Sequence, residues 1–304
     1  MTTATTDVER LAAGPTFQGV SLGRKIKNGV ATTLIVLSFL IAVVPLIWVL
    51  WSVIENGLRP ILNADWWSHS LRGLRPYEDR GGAYHAIYGT IAQGLATAVL
   101  SVPVGVLVGI YLVEYAERGW LARVTTFMVD ILTGVPSIVA GLFVYVLWIT
   151  IFGFSRSGFA VSLALVLLML PVVIRTTEEM LRIVPDELRE ASYALGIPKW
   201  KTILRVVLPT AMSGIVTGIM LGLARVMGET APALVVGAYA ASINYNLFEG
   251  NQANLPLLMN DQFANPEVAG FNRTWGAAMT LVLIIMLFNL LATVVSRLSA
   301  IKTK

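Results

Sequence analysis

Six long apolar runs constrain this chain more than any other feature. They cover approximately residues 29–54, 87–113, 124–151, 159–183, 211–240 and 275–296. A helix rises about 1.5 Å per residue, so each run can cross a hydrocarbon core about 30 Å thick. The runs are continuously apolar and do not alternate, which selects helices over a β-barrel. Composition agrees, because 56% hydrophobic and 13% charged residues are too apolar for an ordinary soluble domain. The expected fold is an all-α integral membrane protein with six transmembrane helices.

The first run reads as a true span and not as a cleaved signal. It follows a largely polar stretch of 28 residues containing Asp7 and Glu9, and it is too long for a signal core. The chain has no cysteine, so disulfides and thiolate metal sites are excluded. With the N-terminus in the cytoplasm, 15 of the 22 Lys and Arg residues fall on the inner side. Six fall outside, namely Arg59, Arg72, Arg75, Arg80, Arg156 and Arg273, and Arg225 lies within a span. This bias predicts a multi-pass protein of the cytoplasmic membrane with both termini inside. Two large loops, roughly 55–86 and 241–274, are expected outside. Trp66, Trp67, Phe248 and Phe263 in them are read as interfacial anchors, or as a docking surface.

No catalytic constellation stands out. There is no nucleotide-binding G-x-x-x-x-G-K-[ST] loop and no H-E-x-x-H. His69 and His85 lie in the first outer loop without evident metal partners and read as solvated. Basic residues are not interleaved with aromatics as a nucleic-acid groove requires. The chain has the character of a conduit, with no catalytic and no metal residue assigned.

A polar segment, residues 185–209, separates spans four and five. Pro185, Asp186 and Glu187 suit a helix N-terminus. Leu188, Ala191 and Leu195 give a narrow apolar stripe, Gly196 suits a helix stop, and Pro198 suits the start of a second helix. The expected form is a helix–turn–helix on the cytoplasmic face. Ala191, Ser192 and Ala194 keep one surface thin. By spacing alone, an amphipathic loop and a docking element are equally good readings. The residues themselves go further. Glu190-Ala191-Ser192, then three residues, Gly196, nine residues and Val206-x-Leu208-Pro209 resembles the EAA motif of ABC importer permeases. Ser and Val stand where that motif has Ala and Ile. The resemblance implies a type I importer permease core whose coupling helix docks on a separate ATPase through Glu190, Ala191, Ser192, Gly196 and Pro209.

The fifth span contains "GIVTGIMLGLARVMGETAPA", residues 214–233. Gly214, Gly218 and Gly222 repeat at four-residue spacing, a pattern for close helix packing. At about 100° per residue, Arg225 and Glu229 fall on the same face as the glycines. They are four residues apart and can pair. Arg225 lies about 24 Å along a helix from Pro209, near or beyond the bilayer midplane. A charge at that depth costs about 3 kcal/mol or more. Two readings stand: a buried Arg–Glu lock between helices, or an anion path. For the second, the arginine fork suits tetrahedral oxyanions, and Glu229 can accept a proton-bearing oxygen. Hydrogen phosphate can donate such a bond and sulfate cannot. Pro232 removes the N–H that would bond the Gly228 carbonyl, so the helix can bend there.

"ARVMGETAPA" (224–233), "GVPSIVAGLFVY" (134–145) and "LPVVIRTTEEMLRIVP" (170–185) resemble the PstA family of phosphate-transporter permeases, with likeness over residues about 87 to 297. The resemblance implies phosphate passage beside Arg225, Glu229 and Thr230. Arg175 is then an exit-side anion contact or a positive-inside anchor. Ser137, after Pro136, is a path-lining hydroxyl or part of a packing kink. The implied organisation is a tail (1–28), a first span with its outer loop (29–86), the permease core (87–297, coupling segment 184–209) and a tail (298–304). Implied partners are a homologous PstC-like permease, a PstB-like ATPase dimer that binds the ATP and Mg, and an external PstS-like phosphate-binding protein. This chain itself would bind no cofactor. A sulfate or molybdate permease, an ion-coupled secondary transporter and an intramembrane enzyme are the rival readings.

Overall fold

The computed structural model describes residues 21–116 and 119–299, with side chains through Val294. Asp7, Glu9, Arg10 and Arg118, and the tail from 300 onward with Lys302 and Lys304, lie outside the described residues. The chain divides into two compact units, Met1–Ser52 and Val53–Lys304. In the first unit the described residues are one apolar helical stretch whose side chains are nearly all exposed.

The described residues are all-helical, with no strand. We label the elements α1 (Leu22–Ile61), α2 (Ala64–Ser68), α3 (Tyr84–Tyr115), α4 (Trp120–Gly134), α5 (Ser137–Ile151) and α6 (Gly158–Ile183). They continue as α7 (Asp186–Ala194), α8 (Lys199–Met227), α9 (Ala231–Val236), α10 (Leu255–Phe263) and α11 (Val268–Ser299). Five of these are long and apolar enough to cross a membrane, and α4 with α5 makes a sixth if the bent pair is one span.

Two expected spans are interrupted. The third, expected over 124–151, breaks between α4 and α5 with a bend of 108°. Pro136 has no N–H to continue the helix, and Val135 before it is pushed to extended backbone (φ −70°, ψ 126°). The fifth, expected over 211–240, begins earlier and ends at Met227. Gly228, Glu229 and Thr230 separate it from α9, where Pro232 fits the first turn because no partner is needed for its missing N–H.

α6 is the central strut. Against α3, a Cβ on Gly105 or Gly109 would overlap Val173 or Thr177. Against α8, a Cβ on Gly214 or Gly218 would overlap Met180 or Thr176. Small residues thus let backbones approach where lipid supplies no hydrophobic push between helices. A Cβ on Gly222 would lie 3.3 Å from Val172, so the close approach of α8 to α6 continues there.

At the end of the bundle holding the α6 N-terminus, a buried amide network pins the 244–255 segment to α3. Gln93 Nε2 donates to Gln252 Oε1 (3.1 Å), and Asn254 Nδ2 donates to Gln93 Oε1 (2.8 Å). Thr90 Oγ1 accepts from Leu255 N (2.8 Å), and Ser162 Oγ donates to Gln93 O (3.2 Å). Buried polar groups thus find partners. The segment then forms α10, whose Leu255, Leu257 and Leu258 are buried, so this expected loop holds a core element. Trp66 corrects the interfacial-anchor expectation. It is 3% exposed, and its Nε1 donates to Thr280 Oγ1 (2.9 Å). Trp67, Phe248 and Phe263 remain exposed. His85, expected in solvent, is buried in the first turn of α3, with Nε2 3.3 Å from Tyr239 Oη. His69 is exposed beside Ser68 and Asp65.

Candidate functional site

The polar segment between α6 and α8 forms a helix, a glycine turn and a second helix. Gly196 has φ +73°, the left-handed conformation that side chains resist. Ile197 N donates to Ser192 O (3.2 Å) and Gly196 N to Tyr193 O (2.9 Å), the paired bonds of a Schellman C-cap. Pro198 then starts α8. The second helix does not lie on the membrane face as a separate piece; it runs on into the fifth span as one helix from Lys199 to Met227. A wide π turn at Ile203–Val207 precedes Pro209 and accommodates a ring that cannot donate a backbone bond.

The apolar stripe of α7 does not point inward. Leu188, Ala191 and Leu195 are exposed, as are Glu190, Tyr193, Trp200 and Leu204. Ser192 is buried, its Oγ 2.8 Å from Thr202 Oγ1, so it joins α7 to α8 and does not thin the outer surface. The inward face is won by Arg189. Its guanidinium donates to Glu114 Oε1 (2.9 and 3.1 Å), Asp186 Oδ1 (3.0 Å), Val184 O (2.7 Å) and Leu181 O (2.9 Å). Charge-assisted bonds of this density outweigh a three-residue apolar stripe. The outer surface is therefore an apolar patch edged by charge, the kind of surface that marks a contact site.

The two interrupted spans meet each other. A Cβ on Gly141 of α5 would lie 2.9 Å from Pro232 Cα of α9. Ser137, half-buried, stands one turn before Gly141, and Thr230 stands two residues before Pro232. Gly228 and Thr230 line a cavity of about 280 Å³ with Pro256, Met259, Asn260 and Phe263 of α10 and Thr274 and Leu281 of α11. The break in α8 thus opens onto a hollow beneath α10.

Arg225 and Glu229 are not a buried pair. Arg225 is in the last turn of α8 and exposed, and Glu229 is in the break and half-buried. Among the described residues neither side chain makes a hydrogen bond or an ion pair. The helical wheel fails here because the helix ends at Met227, so Glu229 is no longer on it. Arg175 is engaged elsewhere. It forms ion pairs with Asp130 of α4 and with Glu178 (2.8 Å), which also binds Arg182 (2.8 Å). The structure therefore brings Arg225, Glu229 and Thr230 to one break, with Ser137 at the neighbouring one. Arg175 stands apart from them and ties α6 to α4.

Residues 101–303 match the model of the family described as "Binding-protein-dependent transport system inner membrane component". This chain belongs to that family. Several curated proteins are close to it in sequence. "Phosphate transport system permease protein PstA 1" of Mycobacterium tuberculosis (strain CDC 1551 / Oshkosh) is 58% identical over 279 residues, covering 92% of this chain and 91% of that protein. "Phosphate transport system permease protein PstA" of Mycobacterium leprae (strain TN) is 56% identical over 283 residues, 93% of each chain. The Yersinia pestis protein of that name is 40% identical over 272 residues, 90% of each. Two solved structures share the fold. A chain of the bacterial alginate ABC transporter aligns with a TM-score of 0.61 at 12% identity, over 91% of this chain and 97% of that one. A chain of the MetNI methionine ABC transporter aligns with a TM-score of 0.56 at 21% identity, over 72% and 94%. The architecture is that of a type I ABC importer permease.

The match to this inner-membrane component family includes α7, the Gly196 turn and both breaks. Four charged residues of the same region escape sequence reasoning. Glu114, Asp130, Glu178 and Arg189 satisfy one another or Arg175. A signal for them exists: three acidic residues at one end of otherwise apolar spans need cationic partners. Which partner each takes depends on how the helices stack.

Proposed function

We propose that this chain is the transmembrane permease subunit of an ATP-driven importer that carries inorganic phosphate across the cytoplasmic membrane. The observation that carries the substrate is 58% identity, over 92% of the chain, to a permease named for phosphate transport. The geometry supports the mode of working. The exposed apolar patch of α7 and early α8, with Glu190, Ala191 and Gly196, is offered to the partner ATPase dimer, which binds ATP and Mg. Ser192 and Pro209 hold that patch in shape from behind. A second, related permease subunit faces the exposed end of α8, and an external phosphate-binding protein delivers the anion. Residues 87–297 form the importer core, and residues 184–209, with both termini, face the cytoplasm.

In this reading Arg225 presents its fork to the anion at the subunit boundary, where the chain alone leaves it exposed. Glu229 accepts the hydrogen of hydrogen phosphate, a bond that sulfate cannot offer. Thr230 and Ser137 line the path at the two breaks. Arg175 joins the path only in a state that frees it from Asp130 and Glu178. The test is uptake by the reconstituted complex, comparing phosphate, sulfate and molybdate with and without ATP. ATP-dependent accumulation of phosphate in preference to the other two is expected. Equal uptake of all three removes the substrate assignment. Uptake that survives ATP depletion and follows an ion gradient replaces the importer with a secondary transporter.

A further inference from the structure

The Arg189 node has geometry beyond what docking needs. Arg189 lies on α7 immediately before Glu190, yet its side chain is only 13% exposed, and that of Glu114 only 5%. One guanidinium gathers Glu114 from the last turn of α3, the Leu181 and Val184 carbonyls from the end of α6, and Asp186 from α7 itself. Carbonyls at a helix C-terminus carry negative partial charge; Leu181 O takes a long bond from Val184 N (3.4 Å), and this cation caps it further. A second contact runs parallel, with Lys199 Nζ 5.1 Å from the Tyr115 ring centre. α7 is joined to α6 and α8 by the chain. It reaches α3 through the Arg189–Glu114 pair, while Lys199 of α8 reaches α3 through Tyr115. Glu114 sits in a π turn, Tyr111–Tyr115, a locally wide stretch that departs from the regular helix.

We propose that Arg189 is a positioning residue that transmits displacement of the coupling helix to α3, so that α3, α6 and α8 move as one when the ATPase moves α7. The proposal rests on the ATP-driven reading above and deepens it. α3 packs along α6 through Gly105 and Gly109, and the amide network fixes its far end to the 244–255 segment. A push delivered at Glu114 therefore travels the length of α3 to the opposite end of the bundle. Without the pin, α7 can follow the ATPase while α3 lags.

Removing Arg189 alone would leave Glu114 buried and unpaired, which damages folding for reasons unrelated to transmission. Two variants avoid this. Arg189→Met with Glu114→Leu replaces the pair by apolar groups of similar bulk. Arg189→Lys keeps the charge but cannot fork across these acceptors. Each is tested as the full chain in the assembled, reconstituted complex, measuring co-purification with the ATPase, ATP hydrolysis and phosphate uptake. Wild-type uptake in the same preparation tests the importer reading itself. If wild type shows no ATP-dependent uptake, that reading fails and not the pin alone. With wild type active, both variants are expected to assemble and hydrolyse ATP, while phosphate moved per ATP falls about tenfold. Wild-type coupling in the Met/Leu double variant overturns the proposal. So does loss of assembly in both variants, because the node is then only a folding requirement.

Discussion

Arg225 separates two ways in which a charge can survive inside a membrane protein. A lock satisfies its charge within the chain; a gate residue leaves it for something that comes and goes. Here the guanidinium is exposed at the end of α8 without a side-chain partner among the described residues. Arg225→Gln should therefore leave the thermal unfolding of the isolated chain in detergent within about 0.5 kcal/mol of wild type, as for other exposed positions. The same change should abolish ATP-dependent phosphate uptake by the complex. Arg225→Lys should lose most of it, because an ammonium cannot reproduce a bidentate fork. Adding Glu229→Gln should restore nothing. Recovery of uptake in that double variant would return the two residues to a lock formed in the assembled complex.

At the scale of elements, the decisive piece is the turn between α7 and α8. A Cβ on Gly196 would meet no atom within 4 Å, so space is not the constraint there; the backbone at φ +73° is. Gly196→Val should cost about 1–2 kcal/mol in that turn and splay α7 from α8. The chain should still insert, with weaker co-purification of the ATPase and reduced uptake. Gly196→Ala should show the same defect in milder form. The glycine, the following Pro198 and the acidic start at Asp186 made this turn readable in advance, because each acts locally. The apolar spans were readable for a similar reason: twenty apolar residues in a row need no knowledge of neighbours. The breaks were not. Pro136 and Pro232 in apolar runs give one signal for a kinked helix and a broken one, and the outcome depends on Gly141 meeting Pro232. The Leu188–Ala191–Leu195 stripe does not say which way α7 faces; the bonds of Arg189 to Glu114, Leu181 and Val184 decide it. Nine-residue α10 was too short to register as anything but loop.

For the whole molecule, orientation is the property that every other assignment uses. The inner-side excess of basic residues predicts that α7 and the 244–255 segment lie on opposite sides of the membrane. Single cysteines at Glu190 and at Asn251 test this, since both positions are exposed and the chain has no native cysteine. Asn251→Cys should react with an impermeant reagent in intact cells, and Glu190→Cys only after the membrane is opened. Labelling of both from outside would remove the orientation. Asn251 adjoins the amide network, and that network carries a consequence in time. Gln93 is separated from Gln252 by 159 residues and from Asn254 by 161. At about 5–20 residues per second, a ribosome takes roughly 8–32 s to span that interval. For that period a membrane helix holds an amide whose mates have not been synthesised. The nascent part must borrow a substitute, from water, lipid or insertion machinery, and then surrender it as Gln252 and Asn254 arrive near the end of synthesis.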